Sequence, residues 1–125
     1  MKVSDIMSAG AKRFGEVHNS YFQIKNQRVC GCALGTLYLE VTNGEYHFGD
    51  IKQAAKCKLS AVKALTKILK TPLELGVTAL NEDGKPYPSQ TAFGCDTIGT
   101  TIEHLYENRK WSREKIAAYL AKIGY

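Results

Sequence analysis

Two cysteines flank a single glycine in "RVCGCALGTLYLE", residues 28–40, directly ahead of an apolar run. Cys30-Gly31-Cys32 has three chemical readings: a metal clip, a thiolate nucleophile at the mouth of a helix, or packing. The metal reading comes first because the chain carries four cysteines (30, 32, 57, 95) and three histidines (18, 47, 104). Structural zinc takes paired ligands in two knuckles, and here one Cys-x-Cys stands with no second pair. We expect no metal and no other cofactor. A free cysteine ordinarily ends as a small buried hydrophobe.

The nucleophile reading puts Cys32 at a helix N-terminus, where the helix dipole favours a thiolate. A cysteine hydrolase or transferase also needs a histidine base and a group to orient it. His104 in "TIEHLYEN" is the candidate base, and Asn108 follows four residues later on the same helix face. Pairing at the surface accounts for His104 and Asn108 equally well, so this enzyme reading is the alternative and not the first choice.

The third reading is electrostatic. The net charge is +5, yet residues 51–70 hold six lysines (52, 56, 58, 63, 67, 70) and no acid, so the rest of the chain sums to −1. On a helical projection Lys52, Lys56, Lys63, Lys67 and Lys70 fall within an arc of about 60°. Such a stripe neutralises phosphates and gives salt-sensitive, largely sequence-independent affinity. A solvated helix face is the ordinary role of a charge run. Two features favour binding: no acid is interleaved to form i, i+4 pairs, and like charges at that spacing cost stability. Against it, only four arginines occur, and no helical aromatic stripe offers bases a stacking platform.

"WSREKIAAYLAKIGY" has the look of a first helix in a helix-turn-helix module, after which a recognition helix should follow. The only helix left to read DNA would be 97–109, which precedes it and reverses the motif's order, so we do not adopt this reading.

The elements that must position these residues follow from periodicity. Val3, Ile6, Met7, Gly10, Phe14 and Val17 predict an amphipathic helix over about 4–17. "HNSYFQIKNQRV" mixes aromatic and β-branched residues with the turn-prone pairs Asn19-Ser20 and Lys25-Asn26, as irregular chain or a short hairpin. Residues 32–41 are ambiguous. As a helix they place Leu34, Leu37, Tyr38 and Val41 on one face with Gly44 as a left-handed cap. As a strand they pair through Asn43-Gly44, Val41 opposite Tyr46 and Leu39 opposite Phe48, and local chemistry slightly favours this hairpin. Asp50 can cap the lysine helix, with Ile51, Ala54, Ala55, Val62, Leu65 and Leu69 in phase until Thr71-Pro72. Residues 71–90 carry all three prolines and read as the longest irregular connection. Asp96 can cap a helix presenting Ile98, Ile102, Leu105 and Tyr106. Ser112 can cap the last, with Glu114 at its positive end, Trp111 and Ile116 as a staple and Gly124 at the exit. The short turn between these two predicts a helical hairpin.

At 125 residues with 44% hydrophobic and 23% charged residues, the chain fits one domain over 1–125 with a core sufficient to fold without disulfides or metal. The charged, amphipathic start reads as neither signal peptide nor membrane span, so we expect a cytoplasmic protein with reduced thiols and no membrane partner.

With "CALG" at 32–35 and "IEHLYENRKWSREKIAAYL" at 102–120, the chain resembles a family of small bacterial and phage-encoded proteins of unknown function. Its members share an N-terminal amphipathic helix, a Cys-Ala-Leu-Gly segment and a closing Trp-Ser/Thr-Arg-Glu-x-Ile-Ala helix preceded by Leu-Asn-Asp. This chain has Leu105-Tyr106-Glu107-Asn108 where the family has Leu-Asn-Asp. The resemblance implies a mainly helical fold, tips residues 32–41 to helix, and offers no activity. Gly35, one turn into that helix, then permits close approach of a second helix. The resulting expectation is a mainly α single compact domain of about four to five helices, with a short β-hairpin as an option. Its expected role is that of a phage- or mobile-element-type interaction module whose Lys52–Lys70 helix contacts nucleic acid or an acidic protein. Tyr21, Tyr87 and Tyr125 are available for a homo-oligomer interface.

Overall fold

The computed structural model describes residues 2–44, 60–72 and 97–125. Five helices and a three-stranded sheet make up these residues: α1 (Val3–Arg13), β1 (Gly15–Glu16), β2 (Phe22–Lys25), β3 (Arg28–Gly31), α2 (Ala33–Val41), α3 (Ser60–Leu69), α4 (Ile98–Glu103) and α5 (Arg113–Lys122). The last turn of α4 continues as a π turn over His104–Asn108. The expected Asp50 cap, residues 51–59, the hairpin partners Tyr46 and Phe48, the connection 73–90 and the expected Asp96 cap lie outside the described residues.

The mainly helical expectation holds at this level, with a sheet larger than a hairpin. β2 and β3 form a two-residue hairpin whose loop residues, Asn26 and Gln27, have φ of 52° and 64°, the pattern of a type I′ turn. β1 adds in parallel on the other side of β3, Gly15 opposite Cys30 and Glu16 opposite Gly31. That pairing shortens the first helix relative to the expected 4–17. The last helical hydrogen bond runs from the Phe14 N–H to Gly10 O at 2.9 Å, Phe14 itself takes an extended backbone, and Phe14 and Val17 are buried beyond the helix.

Residues 33–41 are helical. Here the tertiary context outweighs the local Asn43-Gly44 hairpin signal, because seven of the nine α2 residues, Ala33 to Leu39, are buried, more than a two-faced strand would hide. α2 ends in a Schellman motif, with Gly44 N–H donating to Leu39 O at 2.7 Å and Asn43 N–H to Glu40 O at 3.3 Å. The left-handed cap is thus Asn43 (φ 55°), and Gly44 (φ 81°) follows it. α5 closes the same way, Tyr125 N–H to Leu120 O and Gly124 N–H to Ala121 O, as Gly124 at the exit predicts.

The cap of α4 is Thr97. Its hydroxyl accepts the Thr100 N–H at 3.2 Å while the Thr100 hydroxyl accepts the Thr97 N–H at 3.2 Å, a reciprocal capping box. Ser112 caps α5 as expected, accepting the Lys115 N–H at 3.1 Å. The helical hairpin of α4 and α5 is not the dominant packing. α5 lies chiefly against α1, and α1 against α2, while α5 meets α4 mainly at its π turn.

One apolar cluster joins all five helices, with Val3 and Met7 of α1, Leu37 and Tyr38 of α2, Val62 and Leu65 of α3, Ile98 and Ile102 of α4, and Ile116 and Leu120 of α5. Trp111 joins the same cluster as Ile116, as a staple requires. Gly10 and Gly35 allow two of the closest approaches around this core. A Cβ on Gly10 would lie 2.6 Å from the Thr36 methyl, so α1 crosses α2 at near backbone contact. A Cβ on Gly35 would lie 2.0 Å from the Tyr21 carbonyl oxygen; Gly35 admits the chain entering β2, and not a second helix.

Candidate functional site

Two surfaces carry the residues singled out by the sequence: the solvent face of α3 and a cleft at the N-terminus of α2. In α3, Val62, Leu65 and Leu69 are buried and Lys63 and Lys67 are exposed, with Lys70 exposed one residue past its end. The helix is docked by a hydrogen bond of 3.0 Å between the Tyr38 and Thr66 hydroxyls and by Ile98 N–H donating to Thr71 O at 3.1 Å. Its lysines therefore project from a fixed wall. Lys52 and Lys56, the other members of the stripe, lie outside the described residues.

The cleft is built from four stretches of chain. Asn19, Ser20, Tyr21 and Phe22 lead into β2, Cys32, Ala33 and Leu34 start α2, Glu103 ends α4, and Tyr106 and Glu107 belong to its π turn. Its volume is about 740 Å³. The π turn widens the helix by a residue, Arg109 N–H reaching back to His104 O at 3.2 Å and Trp111 N–H to Leu105 O at 3.0 Å. Such single-turn π insertions frequently occur at functional sites. The Glu107 carboxylate accepts the Asn19 N–H at 3.3 Å on each oxygen, which pins the loop before β2 to this turn. Tyr106 is buried, donates its hydroxyl hydrogen to Val17 O at 2.8 Å and stacks its ring on His18 at 4.4 Å between centroids. Burial, then the Glu16 carboxylate, push its phenol upward, so it stays protonated.

Cys32 is the N-cap of α2, 5% exposed, with its Sγ accepting the Gly35 N–H at 3.4 Å. Burial pushes its thiol up to about 11 despite the stabilising backbone N–H groups, and the Glu107 and Glu103 carboxylates push the same way. At neutral pH it is a protonated thiol. His104 is not among the residues lining the cleft; its Nδ1 lies 2.9 Å from the Asn108 amide nitrogen, and burial and the neighbouring Arg109 hold its pKa below the usual histidine value. The structure therefore brings His104 and Asn108 together and leaves Cys32 bonded to its own helix. Cys30 is likewise a buried free thiol, packed where Gly15 leaves room. Among the described residues no group of three or more His, Cys, Asp or Glu side chains is placed to hold a metal ion, and no helix is long and apolar enough to cross a membrane. Cys57, Cys95 and His47 lie outside these residues.

Arg113 carries no functional reading in the sequence. It is 5% exposed and donates to Thr36 Oγ1 (3.0 Å), Gly15 O (3.1 Å) and Ala11 O (3.4 Å). Placed in the first turn of α5, a cation opposes that helix's dipole, and the carbonyls at the C-terminal end of α1 offset this. The closing Trp-Ser-Arg-Glu helix is thus explained by architecture: Trp111 and Ile116 pack, Ser112 caps and Arg113 ties α5 to α1, β1 and α2. Tyr21 and Tyr125 are half-buried against the core, and Tyr87 lies outside the described residues.

Comparison of the chain with protein-family models, curated proteins and solved structures gives no match.

Proposed function

We propose that this protein is a cytoplasmic binding module of phage or mobile-element type that docks a polyanionic partner, nucleic acid first, on the solvent face of α3. The carrying observation is the separation of the helix into a buried Val62, Leu65, Leu69 face and an exposed Lys63, Lys67, Lys70 side with no acid between residues 60 and 70. Like charges one turn apart cost about 0.2–0.5 kcal/mol per pair, a cost that a bound polyanion removes. A stretched phosphate backbone suits a row of lysines better than a pocket does, because lysine acts as a point charge on a flexible stem. An acidic protein is the other partner of the same chemistry. The observations on Cys32 weigh against the alternative of a Cys32–His104 hydrolase or transferase: its thiol is protonated and serves as a helix cap.

Binding of short fluorescent DNA and RNA, measured by polarisation across a salt series, tests this. Three neutralised phosphates predict that log K falls against log salt with a slope of about −2 to −3. Absence of binding at low salt would remove the nucleic-acid reading and leave the acidic protein.

A further inference from the structure

We infer that the cleft between the β2 entry, the start of α2 and the π turn binds an organic cation, an alkylammonium or guanidinium group carried on an apolar stem. A volume of about 740 Å³ is within the range of small-molecule sites. Its wall is divided. Phe22, Ala33, Leu34 and the protonated Cys32 supply an apolar side for a stem, the half-buried Tyr21 adds aromatic surface over the buried Tyr106, and Glu103 and Glu107 supply two carboxylates one helical turn apart. Among the described residues, none that lines it is a lysine, arginine or histidine, and neither glutamate forms an ion pair.

The start of α2 opens on the same cleft and by itself would favour an anion. Its dipole is worth roughly half a positive charge, part of which the Cys32 cap already meets, whereas two ionised carboxylates bring two full negative charges. The charge on the described wall of the cleft is therefore negative. Aromatic surface beside carboxylates is the chemistry that holds ammonium and guanidinium groups, the rings through cation–π attraction and the carboxylates through charge-assisted hydrogen bonds. Glu107 remains competent for this, since its contacts with the Asn19 N–H are long at 3.3 Å and leave lone pairs on both oxygens. The Asn19 contact also holds that carboxylate in place before a ligand arrives, which reduces the ordering cost of binding.

The test is a titration of the full-length protein with butylammonium and butylguanidinium, followed by NMR shifts of the Leu34 methyls and the Tyr21 and Tyr106 rings. Butanol serves as the neutral isostere, and a short lysine-containing peptide distinguishes a side chain of a partner protein from a free amine. We expect saturable shifts for the cations and at least about tenfold weaker binding of butanol, the loss of one charge-assisted contact. Glu103→Gln and Glu107→Gln should each weaken the cations and leave the butanol shifts unchanged. Tighter binding of the peptide than of butylammonium assigns the cation to a partner protein, and the reverse assigns it to a free amine. Butanol binding as tightly as butylammonium, cation affinity unaltered in both glutamine variants, or no saturable shift at tens of millimolar would each overturn the inference. The wild-type comparison of butylammonium with butanol decides the matter even if a variant fails to fold.

Discussion

The Arg113 guanidinium donates to the Thr36 hydroxyl at 3.0 Å across 77 residues of chain, joining the first turn of the last helix to the middle of α2. The same group reaches Gly15 O and Ala11 O, so one buried cation satisfies acceptors on α1, β1 and α2. Replacing it strands acceptors at about 1–3 kcal/mol each. Arg113→Met, which keeps volume and removes the donors, should lower the unfolding free energy by about 2–4 kcal/mol in a denaturant titration. A change below about 0.5 kcal/mol, the range of an ordinary surface substitution, would show that Arg113 does not hold these elements together.

Gly35→Ala places a methyl 2.0 Å from the Tyr21 carbonyl oxygen, a contact with backbone on one side and a helix on the other. Neither side yields cheaply, so the variant should lose stability by several kcal/mol or fail to fold. Gly10→Ala meets the Thr36 methyl at 2.6 Å but also the Thr36 carbonyl at 3.0 Å, and should cost stability as well. Thermal melts of the two variants check the order of severity, Gly35 ahead of Gly10.

The β2–β3 loop offers a gain. Gln27 holds φ 64° in a type I′ turn, where glycine carries no steric cost. Gln27→Gly should raise stability by a few tenths to about 1 kcal/mol, and a lower melting temperature would contradict the turn assignment.

Cys32 sets a pH dependence at the alkaline end. Burial pushes its thiol up to about 11 in the folded chain from the 9.0 of an ordinary cysteine, so the native state holds its proton more tightly than the unfolded chain does. The stabilisation is complete below pH 9 and is lost as pH rises from about 9 to about 11, worth about 2–3 kcal/mol. In Cys32→Ser, which keeps a capping oxygen and does not titrate there, the fall in stability across that window should be shallower. Iodoacetamide should label native Cys32 slowly at pH 7, and rapid labelling would restore the nucleophile reading.

The boundaries at which sequence and structure agree are those written in local chemistry. Ser112, the Trp111 and Ile116 staple and Gly124 specify α5 without help from the rest of the chain. Residues 32–41 are ambiguous in sequence, since Asn43-Gly44 suits a hairpin loop slightly better than a helix ending; the outcome depends on how completely α2 is buried, which no window of sequence reports. The parallel pairing of Gly15 with Cys30 and the burial of Arg113 are set by partners far away in sequence. A basic residue beside a serine cap reads as solvent-facing until α1 is placed against it. The cleft is illegible for the same reason: its ten described lining residues come from separate stretches of chain, and Glu103 and Glu107 look like ordinary surface charges on a helix. The lysine stripe is legible in the sequence, because charge and helical phase both lie within one short segment.

On the proposed function, charge located on α3, and not net basicity, makes the contact. The most direct measurement compares DNA and RNA affinity of Lys63→Glu/Lys67→Glu/Lys70→Glu with a control of equal charge, Lys12→Glu/Lys25→Glu/Lys122→Glu, at low and moderate salt. The α3 variant should lose binding and most of the salt slope, while the control retains the slope and falls only modestly in affinity. Equal losses in the two variants would contradict it, since a general attraction to a basic protein would then suffice.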